Sequence, residues 1–227
     1  MIGAVLIGLC GGKPNLREGV TLVTSTLLLL VVISLGAQVL GGERPQATLV
    51  EMLPGLSIGF RVEPLGMIFA GIAATLWPIN SLYSIGYMRG NDEKNQTRFY
   101  ICFAVAIASA MGIALAGNLL TLFVFYEALT LSTYPLVAHK GNDEALQSGR
   151  TYLGILIGTS IGLLLPAILW TWNAAGTLDF AQGGLLAGRV EGPLVGIMLL
   201  VYIFGIGKAA LMPIHRWLPA AMVAPTP

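Results

Sequence analysis

Two ionisable side chains, Glu127 and Lys208, lie deep inside stretches that otherwise carry no charge. A carboxylate and an amine can pass a proton between them, because the nearness of one sets whether the other stays charged. Glu127 stands in LFVFYEALTLSTYP, nine residues past Asn118. That is roughly 13 Å along a helix, and His139 at the other end is about as far. A charge at that depth costs at least about 2.5 to 3.5 kcal/mol on insertion scales, so it faces a partner or a water-filled cavity. Lys208 lies in VYIFGIGKAALMP, where Gly205 and Gly207 permit close approach and Pro213 has no N–H for the carbonyl of Ala209. A helix break just after the lysine is predicted, and broken membrane helices present free carbonyls and helix ends to translocated ions. Glu127 and Lys208, on separate spans, are expected to meet and to titrate as one system. The competing reading is a fixed strut, although buried ion pairs stabilise poorly relative to apolar packing.

Other groups surround this pair. His215, two residues past Pro213, reads either as a proton relay or as an interfacial imidazole. Thr130, Ser132, Thr133 and Tyr134 offer a polar chain along the Glu127 span, unless they bond back to the carbonyls of the preceding turn. His139 and Lys140 close that span, where basic residues are expected at a cytoplasmic end.

The elements that hold these groups are membrane helices. Of 227 residues 56% are hydrophobic and only 10% charged, against roughly 25% charged in a soluble domain; mean hydropathy is +0.80. The net charge of +1 with no basic block gives no sign of nucleic-acid binding or of an acidic substrate. Cys10 and Cys102 lie in apolar stretches without a nearby His or second Cys, so neither a metal site nor a disulfide framework is expected. No flavin, haem or iron–sulfur motif occurs, so no cofactor is expected, and any redox chemistry lies in another chain. No nucleophile with a matched base suggests an enzyme of its own.

Apolar segments at 19–40, 64–88, 99–116, 119–138, 151–173 and 193–213 predict six spans. The N-terminal MIGAVLIGLC is too short to cross and lacks the basic start and cleavage site of a signal peptide. It reads as the tail of a first helix. HRWLPAAMVAPTP after the last span reads as amphipathic or re-entrant, and both abrupt ends suggest part of a longer membrane protein. Pro78, Pro135, Pro166 and Pro213 predict kinks or breaks. Lys13, Arg17, Arg89, Lys94, Arg98, Lys140 and Arg150 fall on one side, and Arg44, Arg61 and Arg189 on the other. By the positive-inside rule, the loops around residues 11–18, 89–98 and 139–150 are cytoplasmic in a cell (plasma) membrane.

FYEALTLSTYPLVAHKG and GIGKAALMPIHRWLPAAMVAPTP, with FRVEPLGMIF and YSIGYMRG, resemble the proton-conducting antiporter-like subunits of respiratory complex I, membrane-bound hydrogenases and Mrp-type Na⁺/H⁺ antiporters. LTLSTYPLVAHKG is most similar to the antiporter D subunit. The resemblance runs from about residue 60 to the C-terminus. It implies an all-α, polytopic transmembrane bundle: the N-terminal half of a fourteen-helix subunit built on two inverted five-helix repeats. Residues 1–98 would be helices one to three. Residues 99–227 would be the first, incomplete repeat, helices four to seven with the start of the connection to helix eight. Glu127 matches the family's glutamate on the fifth helix, Lys208 the lysine on the broken seventh, and His215 a histidine common after that break. These imply proton translocation in a multisubunit monovalent cation/H⁺ antiporter, with other membrane subunits, lipid, protons and Na⁺ as partners and no nucleic acid. A redox-driven pumping subunit, translocating without its own redox centre, is the alternative within the family, and a non-transporting scaffold is the alternative outside it. The helix-eight residue and the second repeat would lie beyond Pro227.

Overall fold

Prolines and asparagines mark where the helices begin. The computed structural model describes residues 1–53 and 55–224; the last three residues of the WLPAAMVAPTP motif lie outside them. A short helix, α1 (Ile2–Leu9), precedes α2 (Pro14–Leu40), and a hairpin of β1 (Gln46–Leu53) and β2 (Leu56–Arg61) leads into α3 (Pro64–Gly90). Then follow α4 (Gln96–Ala114), α5 (Leu119–Val137), α6 (Asp143–Thr159), α7 (Leu165–Ala175), α8 (Pro193–Gly205) and α9 (Trp217–Ala221). Pro14, Pro64 and Pro193 open their helices, where a preset φ helps and the missing N–H costs nothing. Asn118 and Asn142 cap α5 and α6 by accepting from the N–H groups of Thr121 at 2.8 Å and Ala145 at 2.9 Å.

Among the described residues five helical stretches are long and apolar enough to cross a membrane. The sixth expected span, 193–213, is corrected: α8 stops at Gly205 after 13 residues. The fifth crosses as one rod, 143–175, in which α6 and α7 are joined by a π-helical turn, Ser160–Leu164. Pro166 cannot donate to the carbonyl four residues back, and such a turn re-spaces the ladder just before it.

The main departure from helix is the hairpin, which the apolar pattern did not predict. Its role is to build one end of the bundle. Arg61 N–H donates to the Leu115 carbonyl at 2.9 Å, Gly117 N–H to the Gly59 carbonyl at 2.9 Å, and the Asn118 amide to the Ser57 carbonyl at 2.8 Å. Leu119 N–H ties in the extended segment at Leu178, donating to its carbonyl at 3.0 Å. The loops at 11–18, 89–98 and 139–150 gather at the opposite end, where Arg89 reaches Asn15 and Arg98 reaches the His139 carbonyl. Between the ends, one apolar core joins Ile7, Trp77, Met88 and Phe99, and another joins Phe123, Tyr126, Leu164 and Ile168. Leu27, Leu30 and Val31 on α2 and Ile68, Phe69 and Ile72 on α3 face outward, as on helices whose solvent is lipid or another membrane chain.

Candidate functional site

The site forms where α8 ends against the π-turn. At Gly205 a side chain would sit 2.7 Å from the Leu164 nitrogen, and at Gly207 it would collide with Thr159 Oγ1. Only glycine lets the chain lie this close to α6 and α7. Ile206 leaves the helical region at φ −80°, ψ 69°, a 3₁₀ turn covers Gly207–Ala209, and Ala210 is left-handed at φ 53°. The break therefore starts before the lysine, not after it, because packing on the π-turn rather than Pro213 ends the helix. Its freed backbone groups find protein partners, as burial in a membrane requires. Lys208 N–H donates to Tyr126 Oη at 3.1 Å, and Trp217 Nε1 donates to the Gly207 carbonyl at 2.9 Å. Trp217 in turn packs edge-on against Tyr152, centroids 5.7 Å apart.

The Lys208 ammonium rests on α5. It donates to Thr130 Oγ1 and to the Tyr126 carbonyl at 3.4 Å, and lies 3.7 Å from the centroid of the Tyr126 ring. The expected direct contact with Glu127 is absent: no nitrogen–oxygen approach of 4.0 Å or less joins them. Tyr126 and Thr130 are four residues apart and share a helix face, whereas Glu127 is turned about 100° away from Tyr126. The break presents its lysine to that face. Glu127 is half-buried, and its Oε1 is buried without a hydrogen-bond partner among the described residues.

The hydroxyls take both of the roles open to them. Thr130, Ser132 and Thr133 each bond back to the preceding turn, at 3.0, 3.0 and 2.8 Å. Thr130 additionally meets Lys208, and Thr133 meets Tyr152 Oη at 2.6 Å. This runs from mid-span toward the basic end. His215 sits in the 3₁₀ turn Ile214–Arg216, half-buried with Nδ1 unpartnered among the described residues, and no hydrogen bond joins it to Glu127 or Lys208. His139 is 3% exposed with both ring nitrogens likewise without a hydrogen bond.

A second acid–base cluster has no counterpart in the sequence pattern, where Arg17 and Arg89 count as loop charges. Arg17 and Glu18 are 4% and 5% exposed in the first turns of α2. Glu18 accepts from Arg17 at 3.0 Å and from Arg89 at 3.0 and 2.5 Å. Arg17 also donates to Gln96 at 2.9 Å and Thr97 at 3.2 Å and lies 5.1 Å from the Tyr100 ring centroid. The available signal is an adjacent Arg–Glu pair at the start of an apolar run.

Residues 116–227 match the model of the NADH:quinone oxidoreductase/Mrp antiporter transmembrane family. The chain belongs to this antiporter-like family. Over its whole length it is 26% identical to NAD(P)H-quinone oxidoreductase subunit 5 of Paulinella chromatophora, covering 36% of that relative. Over 78% of its length it is 26% identical to a probable K⁺/H⁺ antiporter protein of Rhizobium meliloti, covering 18% of it. The chain thus spans between 18% and 37% of the length of such curated relatives. Its fold is that of a chain in the membrane-bound sulfane sulfur reductase, an archaeal respiratory membrane complex. There 99% of the chain superposes on 46% of the solved one with a TM-score of 0.84 at 22% identity. As a family member it is a polytopic membrane protein, and the relatives it matches are subunits of multisubunit membrane complexes.

Proposed function

We propose that this chain is a proton-translocating subunit of a multisubunit monovalent cation/H⁺ antiporter, exchanging Na⁺, with Glu127 and Lys208 as the groups that hold the transported proton and His215 as a relay beyond the break. One observation carries the reading. A lysine at a helix break docks on α5 beside a carboxylate whose oxygen is buried and unpartnered among the described residues. Such an arrangement has a reason to change partners, and membrane-depth ionisable residues mark ion paths. The Thr133–Tyr152 contact extends the polar line toward the end where Arg98 and His139 meet, which we assign to the cytoplasm of a plasma-membrane protein.

The second reading is a proton-pumping subunit of a quinone oxidoreductase or hydrogenase, favoured by the subunit 5 relative that aligns with the whole chain. In that setting the same residues would serve, with redox chemistry in another subunit. The test is exchange by the assembled complex in vesicles. Glu127→Gln and Lys208→Ala are each expected to slow ΔpH-coupled Na⁺ exchange by about 10²-fold, the usual loss when a positioned proton-transfer group is removed. Exchange at the wild-type rate in both variants would leave only a scaffold. Proton pumping driven by an electron donor, with no response to Na⁺, would select the second reading.

A further inference from the structure

We propose that Tyr126 and Thr130 form a second resting place for the Lys208 ammonium, alternative to Glu127, which makes Thr130 a positioning residue for proton movement. The inference rests on the function proposed above. Thr130 is fully buried, and its hydroxyl proton is committed to the Tyr126 carbonyl at 3.0 Å. Its oxygen can therefore only accept, and it faces the ammonium. The three ammonium protons find Thr130 Oγ1, the Tyr126 carbonyl and the Tyr126 ring face, so the cation is satisfied without any carboxylate. Glu127, the next residue, correspondingly has an oxygen with no partner among the described residues.

The two places differ in what they sense. Glu127 as a carboxylate attracts the ammonium; a proton arriving on it from the transport path gives the neutral acid, and the attraction ends. The neutral cradle holds the ammonium in either case. Its presence thus lets Lys208 leave Glu127 when Glu127 is protonated, without an unsatisfied charge in the membrane interior. Removing the Thr130 acceptor tilts the balance back to Glu127. The other titratable groups on the elements packed around the break are Tyr126 and Tyr134 on α5, Asp143, Glu144, Arg150 and Tyr152 on α6, Tyr202 on α8, and His215 and Arg216 beyond it, and none of them is altered by the substitution.

The experiment uses the assembled complex with Thr130→Val, which removes the acceptor at similar size, and Thr130→Ser, which keeps it. Thr130→Ala serves if the valine variant does not assemble. In Thr130→Val the pH of half-maximal exchange moves down by about one to two units, the equivalent of one charged hydrogen bond, because the ammonium held at Glu127 favours its carboxylate, and Thr130→Ser restores the wild-type profile. The infrared carboxyl band that vanishes in Glu127→Gln titrates at lower pH in Thr130→Val than in wild type. An unshifted band overturns the cradle whatever transport does. Loss of exchange in Glu127→Gln and Lys208→Ala together with an unchanged Thr130→Val profile overturns the cradle and leaves the proposed function standing.

Discussion

Glu18 and Glu127 are the same residue type in apolar helices, yet their surroundings are opposite. Glu18, near the start of α2, accepts three guanidinium hydrogen bonds from Arg17 and Arg89, and so ties α2 to α3, while Arg17 continues to α4. Glu127, near mid-span, has a buried oxygen with no partner among the described residues, although a lysine docks on the neighbouring Tyr126. The first cluster closes around its carboxylate: removing Glu18 would strand Arg17 in the interior, although Arg17 Nε is buried without a hydrogen-bond partner among the described residues and Arg89 keeps nearly half of its side chain exposed. The second keeps its cation on neutral oxygens and its anion apart. A buried charge that is fully bonded has little freedom to change partners, and one that is under-bonded needs a reason to be there.

The largest effect should come from breaking the closed cluster. Glu18→Gln leaves Arg17 buried without its carboxylate, and loss of one partner of a buried pair costs about 3 to 5 kcal/mol. Denaturation of the detergent-purified complex is expected to show that loss for Glu18→Gln, with exchange by the surviving folded fraction intact. Glu127→Gln should do the reverse, leaving stability within about 1 kcal/mol and removing exchange. Equal destabilisation by the two substitutions would erase the distinction between a closed and an open cluster.

A middle-sized effect tests what holds the open cluster in place. Gly207→Val drives a side chain into Thr159 and toward Leu156, and overpacking of this kind costs about 1 to 3 kcal/mol. Because Trp217 donates to the Gly207 carbonyl, its fluorescence should shift as the break moves off α6. A variant with wild-type stability and emission would mean that the π-turn does not position Lys208.

How much of this is legible in the sequence depends on whether a residue's role is local. Glu127 and Lys208 stand out because a charge in an apolar run is improbable unless it is used, and Gly205, Gly207 and Pro213 flag a break by their own backbone chemistry. The place where the helix stops is not legible, since Gly205 is forbidden a side chain only by Leu164, some forty residues earlier. Nor is the choice of Tyr126 and Thr130 over Glu127, which turns on the face of α5 that the break meets. Arg17 and Glu18 look like solvated loop charges because their burial is supplied by α3 and α4. The hairpin at 46–61 is hidden for a similar reason: β1 pairs with β2 alone, and the end of α4 decides its position through Leu115 and Gly117.

His139 offers the smallest effect and a third case between the two carboxylates. It lies beyond the end of α5 with neither ring nitrogen hydrogen-bonded among the described residues, Phe99 edge-on at 5.8 Å and a Glu93 oxygen 3.8 Å from Nε2. Burial pushes the imidazole below its ordinary value of 6.5, Arg98 adds to this, and Glu93 opposes it. The unfolded chain therefore binds a proton that the folded protein refuses in the window between the lowered value and 6.5. Stability then rises with pH across that window and is lost as pH falls through it. The thermal midpoint of the wild-type complex should drop between about pH 7 and about pH 5.5 by more than that of His139→Phe, which has nothing to protonate at this position. A wild-type midpoint that instead rose on acidification relative to the variant would show that Glu93 captures the charged ring, and that His139 belongs with Glu18 among the closed contacts.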